Sequence, residues 1–484
     1  MHASGGLAQL SVPILDWVAK DQSSYSYSVE KYGWQQSTDP WKPDAGNGLT
    51  PEGHPLTTSD PNDASVPWTL ELGKEWLESF PDPPEIVLIG NELDIAQQTH
   101  RDVHPEAVTY AEQRDRYLQW ARMVKSVWPT VLTGGPASCC WHYYWNSEAG
   151  DTDRQANGDA DFLPWFLEQI AAADTQADVR TLDYLDIHYY PEGVFNDDVD
   201  QETRSKRLRM TRSLWDPNFN DESWIGSAAH DAKHQPNPTR VMLIPRMRAL
   251  IDKHYPGTRL AINEWNFGAE ADVSGGLAVA DVLGIFARER VDLATYWTAP
   301  AEGTAASAAF RLFRQHDAPF GHEYLPINNP EPNKLGVYAA RDLEGYISIV
   351  AINKDPSKDL MLIVADAPSG AARIRRFGGI TGNELINETP ITFDGRILVP
   401  AYSAVFLAIT PGAGLEDPKV SAPPPRYDPP EVSQGSCTAA PSPGQPSIVW
   451  LLLAAVLLLG RFHFLVWRFC CSIIVVSAKR SRRR

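Results

Sequence analysis

Cysteine is scarce in this sequence, with five residues among 484. They occur as two adjacent pairs, Cys139-Cys140 and Cys470-Cys471, and as the single Cys437. None has the C-x-x-C spacing that is typical of zinc sites and thiol redox motifs. This pattern argues against a disulfide framework and a cysteine-bound zinc ion, and it leaves the redox compartment undetermined.

Basic residues are also in deficit. The chain has 43 Lys and Arg against 61 Asp and Glu, a net charge of −18. An acidic surface repels phosphate backbones, so we expect no nucleic-acid partner. The deficit is uneven, because residues 461–484 contain seven Lys or Arg and no acidic residue.

No G-x-G-x-x-G turn is present, which argues against a dinucleotide-binding doubly wound sheet. Instead, short apolar runs recur between helical or loop stretches, as parallel strands buried on both faces do. These runs cover residues 10–17, 85–92, 130–136, 184–191, 259–266 and 292–298. Because several of them end in polar or aromatic residues, we predict a TIM-like (β/α)8 barrel of the α/β class.

Six strands are two fewer than such a barrel needs. The two missing strands lie either unrecognised within residues 25–68 or outside this sequence. Residues 25–68 are rich in Pro, Gly, Asp and Ser and predict a long loop, which favours the second alternative. We therefore expect the first two strands to be missing, as in an N-terminally truncated gene product. Helices are predicted between the strands, one starting at Pro105 and others over 242–254 and 276–289.

From Leu335 to Ile409 the pattern changes to short strands with frequent turns, which is typical of a β-sandwich. The predicted strands cover residues 336–341, 346–353, 360–364, 372–376 and 397–409. Residues 411–446 contain ten prolines and predict a stiff linker. The predicted organisation is therefore a barrel (1–330), a sandwich (331–410), the linker (411–446) and a C-terminal hydrophobic tail (447–484).

The tail begins with 13 apolar residues, 448–460, followed by Arg461 and Arg468 within more apolar sequence. A spanning helix needs about 20 apolar residues, and the first run alone is shorter than that. Because apolar sequence continues beyond it and the chain ends in a basic cluster, we predict a membrane anchor or sorting tail with a basic cytoplasmic end. A non-functional extension is the alternative. The N-terminus has no signal-peptide pattern. We nevertheless expect a monomer that is extracellular or held at the cell surface by this tail.

The functional prediction rests on sixteen tryptophans and two Asn-Glu pairs. Flat, rigid indole rings suit stacking against sugar rings. Asn91-Glu92 and Asn263-Glu264 each lie at the end of a predicted strand, 172 residues apart. Paired carboxylates at the C-terminal face of one barrel are the groups that glycoside hydrolysis needs, one protonated and one ionised.

Longer stretches of the sequence also indicate a glycoside hydrolase. They resemble glycoside hydrolase family 44, a family of retaining endo-β-1,4-glucanases and xyloglucanases. The resemblance runs from about Val12 to Ile409. It is carried by residues 17–20 (WVAK), 39–48 (DPWKPDAGNG), 90–92 (GNE), 185–192 (LDIHYYPE), 212–217 (RSLWDP) and a long block from Tyr255 through Asn263-Glu264-Trp265-Asn266 to Trp297.

The resemblance implies a (β/α)8 barrel with a β-sandwich, with Glu92 as the acid/base on strand four and Glu264 as the nucleophile on strand seven. It implies cleavage of internal β-1,4-glucosidic bonds in cellulose- or xyloglucan-type polysaccharides by retaining double displacement, with carboxyl groups about 5–5.5 Å apart.

This sequence departs from the family at one position beside the predicted acid/base, since Leu93 stands where the family usually has Pro. The alternative is an inactive or carbohydrate-binding remnant, because the predicted truncation removes barrel strands.

Further residues at the strand ends are candidates for binding the β-glucan. They are Asn91, His188, Tyr189, Asn263, Tyr296, Trp297 and Trp215. No metal ligand is predicted, since His100 and His104 have helical spacing but lack an H-E-x-x-H pattern. No cofactor is required; the resemblance leaves room for a structural calcium ion, to which we assign no ligands.

Overall fold

The computed structural model describes residues 7–56, 59–227, 231–315, 318–365 and 367–415. They divide into two compact units. The first unit contains residues 7–187 and 254–258, and the second unit contains residues 188–253 and 259–415. The whole predicted tail and most of the predicted linker lie outside the described residues. Within the described ranges, no helix has the length and hydrophobicity needed to cross a membrane.

The first unit alternates strands and helices. Its elements are β1 (Gln9–Val12), β2 (Trp17–Ala19), α1 (Val29–Tyr32), β3 (Ser65–Pro67), α2 (Leu70–Glu78), β4 (Ile86–Ile89), α3 (Ala96–Thr99), α4 (Tyr110–Val127), β5 (Leu132–Ser138), α5 (Gly150–Ala156), α6 (Phe162–Ala177) and β6 (Tyr184–Tyr189), with 3-10 helices at Pro61–Asp63, Leu93–Ile95 and Trp141–Tyr144. The last two residues of β6, His188 and Tyr189, belong to the second unit.

Four of these strands form a parallel ladder in the order β1-β4-β5-β6. Helices α2, α4 and α6 lie in the connections between them, as βα units require. All four residues of β4 are buried, which explains its uninterrupted apolar sequence. Strands β2 and β3 pair separately as an antiparallel ribbon.

Helix α4 shows how the sequence pattern specifies packing in this unit. Tyr117, Trp120 and Val124 lie at three- and four-residue steps and are buried. Trp120 stacks on Trp68 with ring centroids 5.9 Å apart. A Cβ at Gly73 of α2 would lie 2.5 Å from the Trp120 ring, so glycine allows the two helices to approach. Burial of each large apolar side chain contributes about 1.5–3 kcal/mol.

Two local predictions for this unit were wrong. Helix α4 starts at Tyr110 and not at Pro105, because the Thr109 hydroxyl caps it by accepting a hydrogen bond from the Glu112 N–H. The predicted strand over 10–17 is split, because Pro13 cannot continue the ladder after Val12. The long loop predicted over 25–68 is largely confirmed, since it holds only α1, one 3-10 turn and β3.

A partly buried ion pair in the first unit predicts a pH-dependent stability. His104 Nε2 lies 2.8 Å from Glu112 Oε1, and this hydrogen bond raises the pKa of His104 above its usual 6.5. The raised pKa means that the stabilisation is complete below about pH 6.5 and is lost as the pH rises through the folded-state value. We expect His104→Gln to lower the free energy of unfolding more at pH 5 than at pH 8.5, by about 0.5–1 kcal/mol after solvent screening.

Urea unfolding of both proteins at the two pH values measures this difference. The exposed His54 provides the control, because His54→Gln should change stability equally little at both values. An identical loss for His104→Gln at pH 5 and pH 8.5 would contradict the prediction.

The second unit contains two further parallel strands and the antiparallel sheets. After the end of β6 come α7 (Gln201–Met210), α8 (Leu243–His254), β7 (Arg259–Trp265), α9 (Val273–Glu289), β8 (Leu293–Tyr296), α10 (Ala305–Arg314), β9 (Glu323–Leu325), β10 (Leu335–Arg341), β11 (Ile347–Asn353), β12 (Leu360–Ile363), β13 (Gly370–Gly378), β14 (Ile386–Phe393), β15 (Arg396–Val399) and β16 (Ser403–Pro411), with 3-10 helices at Thr211–Leu214, Trp224–Ser227 and Gly379–Thr381. The final residue of α8, His254, belongs to the first unit.

Strands β7 and β8 pair in parallel, with α9 as their connection. They bring the parallel strands among the described residues to six, the number predicted. Six parallel strands that alternate with helices fit the predicted TIM-like barrel. All six lie within the predicted apolar runs to within one or two residues.

The sandwich consists of a six-stranded antiparallel sheet, in the order β14-β13-β16-β11-β10-β9, and the two-stranded sheet β12-β15. Its core is apolar and mainly aliphatic, with fully buried Ala351, Val399, Leu407 and Ile409 beside the aromatic Phe393. The predicted strand over 397–409 is split into β15 and β16 around a turn. Strands β9 and β14 were not predicted, and β9 begins before residue 331, the predicted start of the sandwich.

A buried polar cluster joins α9 to this sandwich. The Asp281 carboxylate accepts hydrogen bonds from Lys354 Nζ at 2.6 Å and from the Tyr338 hydroxyl at 2.8 Å. The Thr211 hydroxyl donates to the same carboxylate at 2.6 Å. Because a buried charge is costly without partners, these bonds fix the packing of the helix on β10 and on the segment after β11.

Candidate active site

Glu92 follows the buried strand β4 in a left-handed backbone conformation. Gly90 has φ +87°, and a Cβ there would lie 2.6 Å from Ile14 Cδ1, so glycine is required. Glu92 itself has φ 45° and ψ 43°. A non-glycine residue in this region is strained, and such strain is concentrated at functional sites. The chain turns sharply at the C-terminal end of β4, where it leaves Asn91 exposed and Glu92 partly exposed.

The C-terminal end of β5 and the residue after it hold this turn in place. The Glu92 N–H donates to the Ala137 carbonyl at 3.0 Å. Two residues on, the buried Asp94 carboxylate accepts from the Ser138 hydroxyl at 2.5 Å and from the Cys139 N–H at 3.0 Å. The 3-10 helix Leu93–Ile95 is thereby tied to the end of the neighbouring strand, which limits how far the backbone of Glu92 can move.

Glu264 lies in the second unit, at the next-to-last position of β7. Its side chain is 13% exposed, and its Oε2 accepts a hydrogen bond from the Tyr190 hydroxyl at 2.9 Å. His188 Nδ1 lies 3.5 Å from the same oxygen, and the His188 side chain is fully buried. One carboxylate oxygen of Glu264 is thus contacted by two polar groups, from the end of β6 and from the residue after it.

Trp297, predicted to support a sugar ring, is half-buried directly after β8. Its N–H donates to the Trp265 carbonyl at 3.1 Å. Its own carbonyl accepts from Asn266 Nδ2 at 2.5 Å, and that amide group also donates to Glu270 Oε1 at 2.9 Å. The backbone of Trp297 is therefore fixed against the residues that follow Glu264, which leaves its ring as the part that can contact a ligand.

Two predicted sugar-binding tyrosines are buried instead, and so is His188, which was also predicted to bind sugar. Tyr189 is 2% exposed and Tyr296 is 9% exposed. Burial raises the pKa of both phenols well above the usual value of 10.0. Tyr296 packs edge-on against Trp265 with ring centroids 4.8 Å apart. The alternation of side chains along a strand turns both rings into the protein, so this arrangement favours packing over sugar contact.

The remaining predicted binding residues differ in accessibility. Asn91 is exposed, whereas Asn263 is 6% exposed within β7. The ring of Trp215 faces the Arg288 guanidinium at 3.9 Å, a cation–π contact that covers one side of the indole. Of these three, only Asn91 is exposed.

The acidic loop before α7 is not arranged as a ready calcium cage. Asp198 Oδ2 accepts from Asn196 Nδ2 at 2.7 Å. Asp200 caps α7 by accepting from the N–H groups of Glu202 and Thr203. Since calcium needs six to eight free oxygen ligands, these carboxylates do not fit it as they stand. A structural calcium ion elsewhere in the chain stays a prediction.

Asn266 and Arg207 were not predicted as functional residues. The Arg207 side chain is fully buried on α7 and donates to the carbonyls of Val194 at 3.1 Å and Phe267 at 2.8 Å. It also donates to Asn196 and Asp198 carbonyls at 3.0 and 2.9 Å. Arg207 therefore holds together the loop after β6, which carries Tyr190, and the loop after β7, which begins two residues beyond Glu264. No local pattern distinguishes it from surface arginines of the same helix.

Comparison with known proteins agrees with this arrangement. The model of the family "Glycoside hydrolase family 44" matches residues 2–193. The solved structure of CelM2, a bifunctional glucanase-xylanase protein from a metagenome library, is 31% identical with a TM-score of 0.77. The similarity covers 85% of this chain and 83% of that one. The chain belongs to glycoside hydrolase family 44. The likeness also confirms the predicted fold class, a TIM-like barrel followed by a β-sandwich.

Two curated relatives match a similar stretch of this family 44 chain. Endoglucanase A of Paenibacillus lautus is 31% identical over 320 residues, which is 63% of this chain and 44% of that protein. Beta-mannanase/endoglucanase A of Caldicellulosiruptor saccharolyticus is 29% identical over 324 residues, 61% of this chain and 24% of that protein. The chain therefore aligns with less than half the length of either curated relative.

The sequence departs from the usual family 44 pattern at the residue after Glu92. Leu93, where the family usually has Pro, is 3% exposed and opens the 3-10 helix after Glu92. Proline at the first position of a helix supplies a fixed φ, and here burial of the leucine side chain anchors the same turn. Glu92 has its left-handed conformation with leucine at the following position.

Proposed function

We propose that this protein is a retaining endo-β-1,4-glucanase acting on cellulose- or xyloglucan-type chains. The observation that supports it best is the setting of Glu264 at the end of β7, where Tyr190 and His188 address one oxygen of a carboxylate that is still accessible. Membership of family 44 and the strained turn at Glu92 add to this. The names of the relatives, endoglucanase and glucanase-xylanase, both include activity on glucans.

In the proposed reaction, Glu264 attacks the anomeric carbon while Glu92 donates its proton to the departing glycosidic oxygen. The C–O bond to the leaving chain breaks as the bond to Glu264 forms. Glu92, now ionised, then removes a proton from water, which displaces Glu264 from the sugar. Two inversions at the same carbon retain the β configuration.

The surrounding residues have supporting tasks in this scheme. The Tyr190 hydroxyl and His188 direct the carboxylate oxygen of Glu264 that they contact, leaving the other available for attack. Trp297, fixed by its backbone, offers an apolar face to a sugar ring. Asn91, exposed next to Glu92, can bind sugar hydroxyl groups. Arg207 and Asn266 act at a distance by positioning the loops.

Release of reducing ends by the full chain from carboxymethylcellulose and from xyloglucan tests the proposal. Internal cleavage should lower viscosity faster than reducing ends accumulate. Proton NMR during hydrolysis should show the β anomer of the new end first. A folded protein that binds glucan without cleaving it would replace the proposal with the alternative of a carbohydrate-binding remnant, and an α anomer formed first would refute retention.

The Tyr190–Glu264 hydrogen bond gives a more specific prediction. Tyr190→Phe removes a donor to an ionised oxygen, and such bonds contribute about 1.5–3 kcal/mol. We expect kcat on carboxymethylcellulose to fall about 10- to 100-fold with little change in KM, because the bond orients the nucleophile and does not contact the substrate. Tyr346→Phe, in the sandwich, serves as the control. A rise in KM alone would mean that Tyr190 binds sugar instead.

We also propose that the protein acts outside the cell or at its surface, because polymeric glucans do not cross membranes. Fractionation of the producing cells, with immunodetection of the chain in medium, envelope and cytosol, tests this. Recovery from the cytosol alone would overturn it.

A further inference from the structure

Two adjacent cysteines follow directly after β5, beside the turn that carries Glu92. Cys139 Sγ and Cys140 Sγ lie 3.1 Å apart, and both are free thiols. Cys139 is buried at 9% exposure, whereas Cys140 is partly exposed. Within the first unit, the two thiols are thus in contact, with one of them open to a reagent from solvent.

The cysteine side chains pack against apolar groups, whereas the Cys139 backbone N–H is hydrogen-bonded to Asp94. Ile95 and Tyr143 pack around Cys139 and Cys140. The contact with Cys140 and burial raise the pKa of the Cys139 thiol. Because the thiolate is the reactive form, Cys139 is poorly suited to react first, and the partly exposed Cys140 is the thiol that a solvent reagent meets.

We propose that Cys139 and Cys140 are a redox modification site, which a low-molecular-weight disulfide oxidises to a vicinal disulfide. The Cys140 thiolate attacks one sulfur of the oxidant R–S–S–R, forming a mixed disulfide and releasing one R–S⁻. Cys139 then attacks the Cys140 sulfur, forming the Cys139–Cys140 bond and releasing the second R–S⁻. The two cysteines lose two electrons and two protons, and the oxidant leaves as two R–SH.

The ring that this bond closes is strained, which makes the modification reversible. Consecutive Cα atoms across a trans peptide are about 3.8 Å apart, shorter than the usual disulfide span of about 4.4–6.8 Å. Strained and accessible disulfides have more oxidising potentials than structural ones and are therefore easily reduced. The pair can then follow the thiol–disulfide balance of its surroundings.

The position of the pair couples it to the proposed acid/base. The Cys139 N–H donates to Asp94, two residues after Glu92, and the Ala137 carbonyl accepts from the Glu92 N–H. Closing the ring changes the backbone at Cys139 and Cys140, and this change is passed to the Glu92 turn through those two bonds. This consequence for activity rests on the proposed function, whereas formation of the disulfide does not.

The test exposes the full chain to oxidised glutathione or to dithiothreitol. Acidic, non-reducing digestion and mass spectrometry then read the peptide that contains Cys139 and Cys140, which separates it from peptides with Cys437, Cys470 and Cys471. We expect this peptide to lose two hydrogen atoms in glutathione disulfide and to regain them in dithiothreitol. Hydrogen exchange of the Glu92 and Cys139 amides should be faster in the oxidised protein.

Activity completes the test. Oxidation should lower hydrolysis of carboxymethylcellulose at least about tenfold, since misplacing a catalytic group by about 1 Å costs up to about 100-fold. Cys140→Ser, which alters a partly exposed residue, should be equally active in both reagents and form no ring; Cys140→Ala is the second variant. Free thiols or a stable glutathione adduct at Cys140 would overturn the proposed site.

The other outcomes are equally decisive. A vicinal disulfide that leaves exchange at Glu92 unchanged would overturn the coupling to that turn. Equal hydrolysis of carboxymethylcellulose by the reduced and the oxidised protein would also overturn the coupling to the Glu92 turn. A reduced protein without any hydrolysis would contradict the proposed function, while the peptide mass and the exchange rates would still decide the redox site and its coupling.

Discussion

The Glu264→Gln variant is expected to lose at least about 10⁴-fold in kcat on carboxymethylcellulose, the largest effect of any single substitution in this chain. Glutamine has nearly the same shape as glutamate but carries no negative charge, and its amide is a very poor nucleophile towards an anomeric carbon. Loss of an enzyme's nucleophile removes the whole covalent route, so only residual catalysis from binding survives.

The fold should tolerate this change. The Tyr190 hydroxyl, 2.9 Å from Glu264 Oε2, can donate to the glutamine carbonyl in the same place. Circular dichroism and urea unfolding should therefore show a protein close to the wild type. Glu323→Gln on β9 is the matched control, because this carboxylate is 70% exposed and faces Arg341 only at 3.9 Å. Wild-type turnover by Glu264→Gln would remove Glu264 from the mechanism.

Glu92→Gln should reduce kcat on glucan by about 10²–10⁴-fold, the range usual for loss of a general acid/base. The glucan leaving group is an alkoxide that needs a proton, which a glutamine cannot supply. An aryl β-cellobioside with a strongly acidic phenol leaves without help, so its first step should proceed nearly as in the wild type. The second step should be slow, because no base remains to activate water.

This combination predicts a burst of phenol followed by slow turnover. Azide, which needs no base, should restore turnover and yield a glycosyl azide of β configuration. The turn should survive the substitution, since it is held by the backbone of Glu92 through its bond to the Ala137 carbonyl. Glu78→Gln, an exposed position on α2, is the control. An equal loss on both substrates would mean that Glu92 is needed for something other than proton transfer.

Most of the parallel strands could be predicted from the sequence because each pattern is local. Strand β4 is buried along its whole length and therefore has an uninterrupted apolar run. The edge strands β9 and β14 escaped prediction because they lie at the two ends of their sheet. A strand with one partner and an exposed face has no need of apolar residues, and β14 accordingly contains Asn, Glu, Thr and Pro.

The sequence by itself determined the family, the strand ends and the two Asn-Glu pairs, because the order of residues along the chain is sufficient for these. Only the tertiary structure decided which side chains orient Glu264, since Tyr190 is 74 residues away from it in the chain. It also decided that Tyr189 and Tyr296 are buried, that Arg207 clamps two loops, and that Cys139 contacts the Glu92 turn. Such contacts join segments that are remote in sequence, and no local period encodes them.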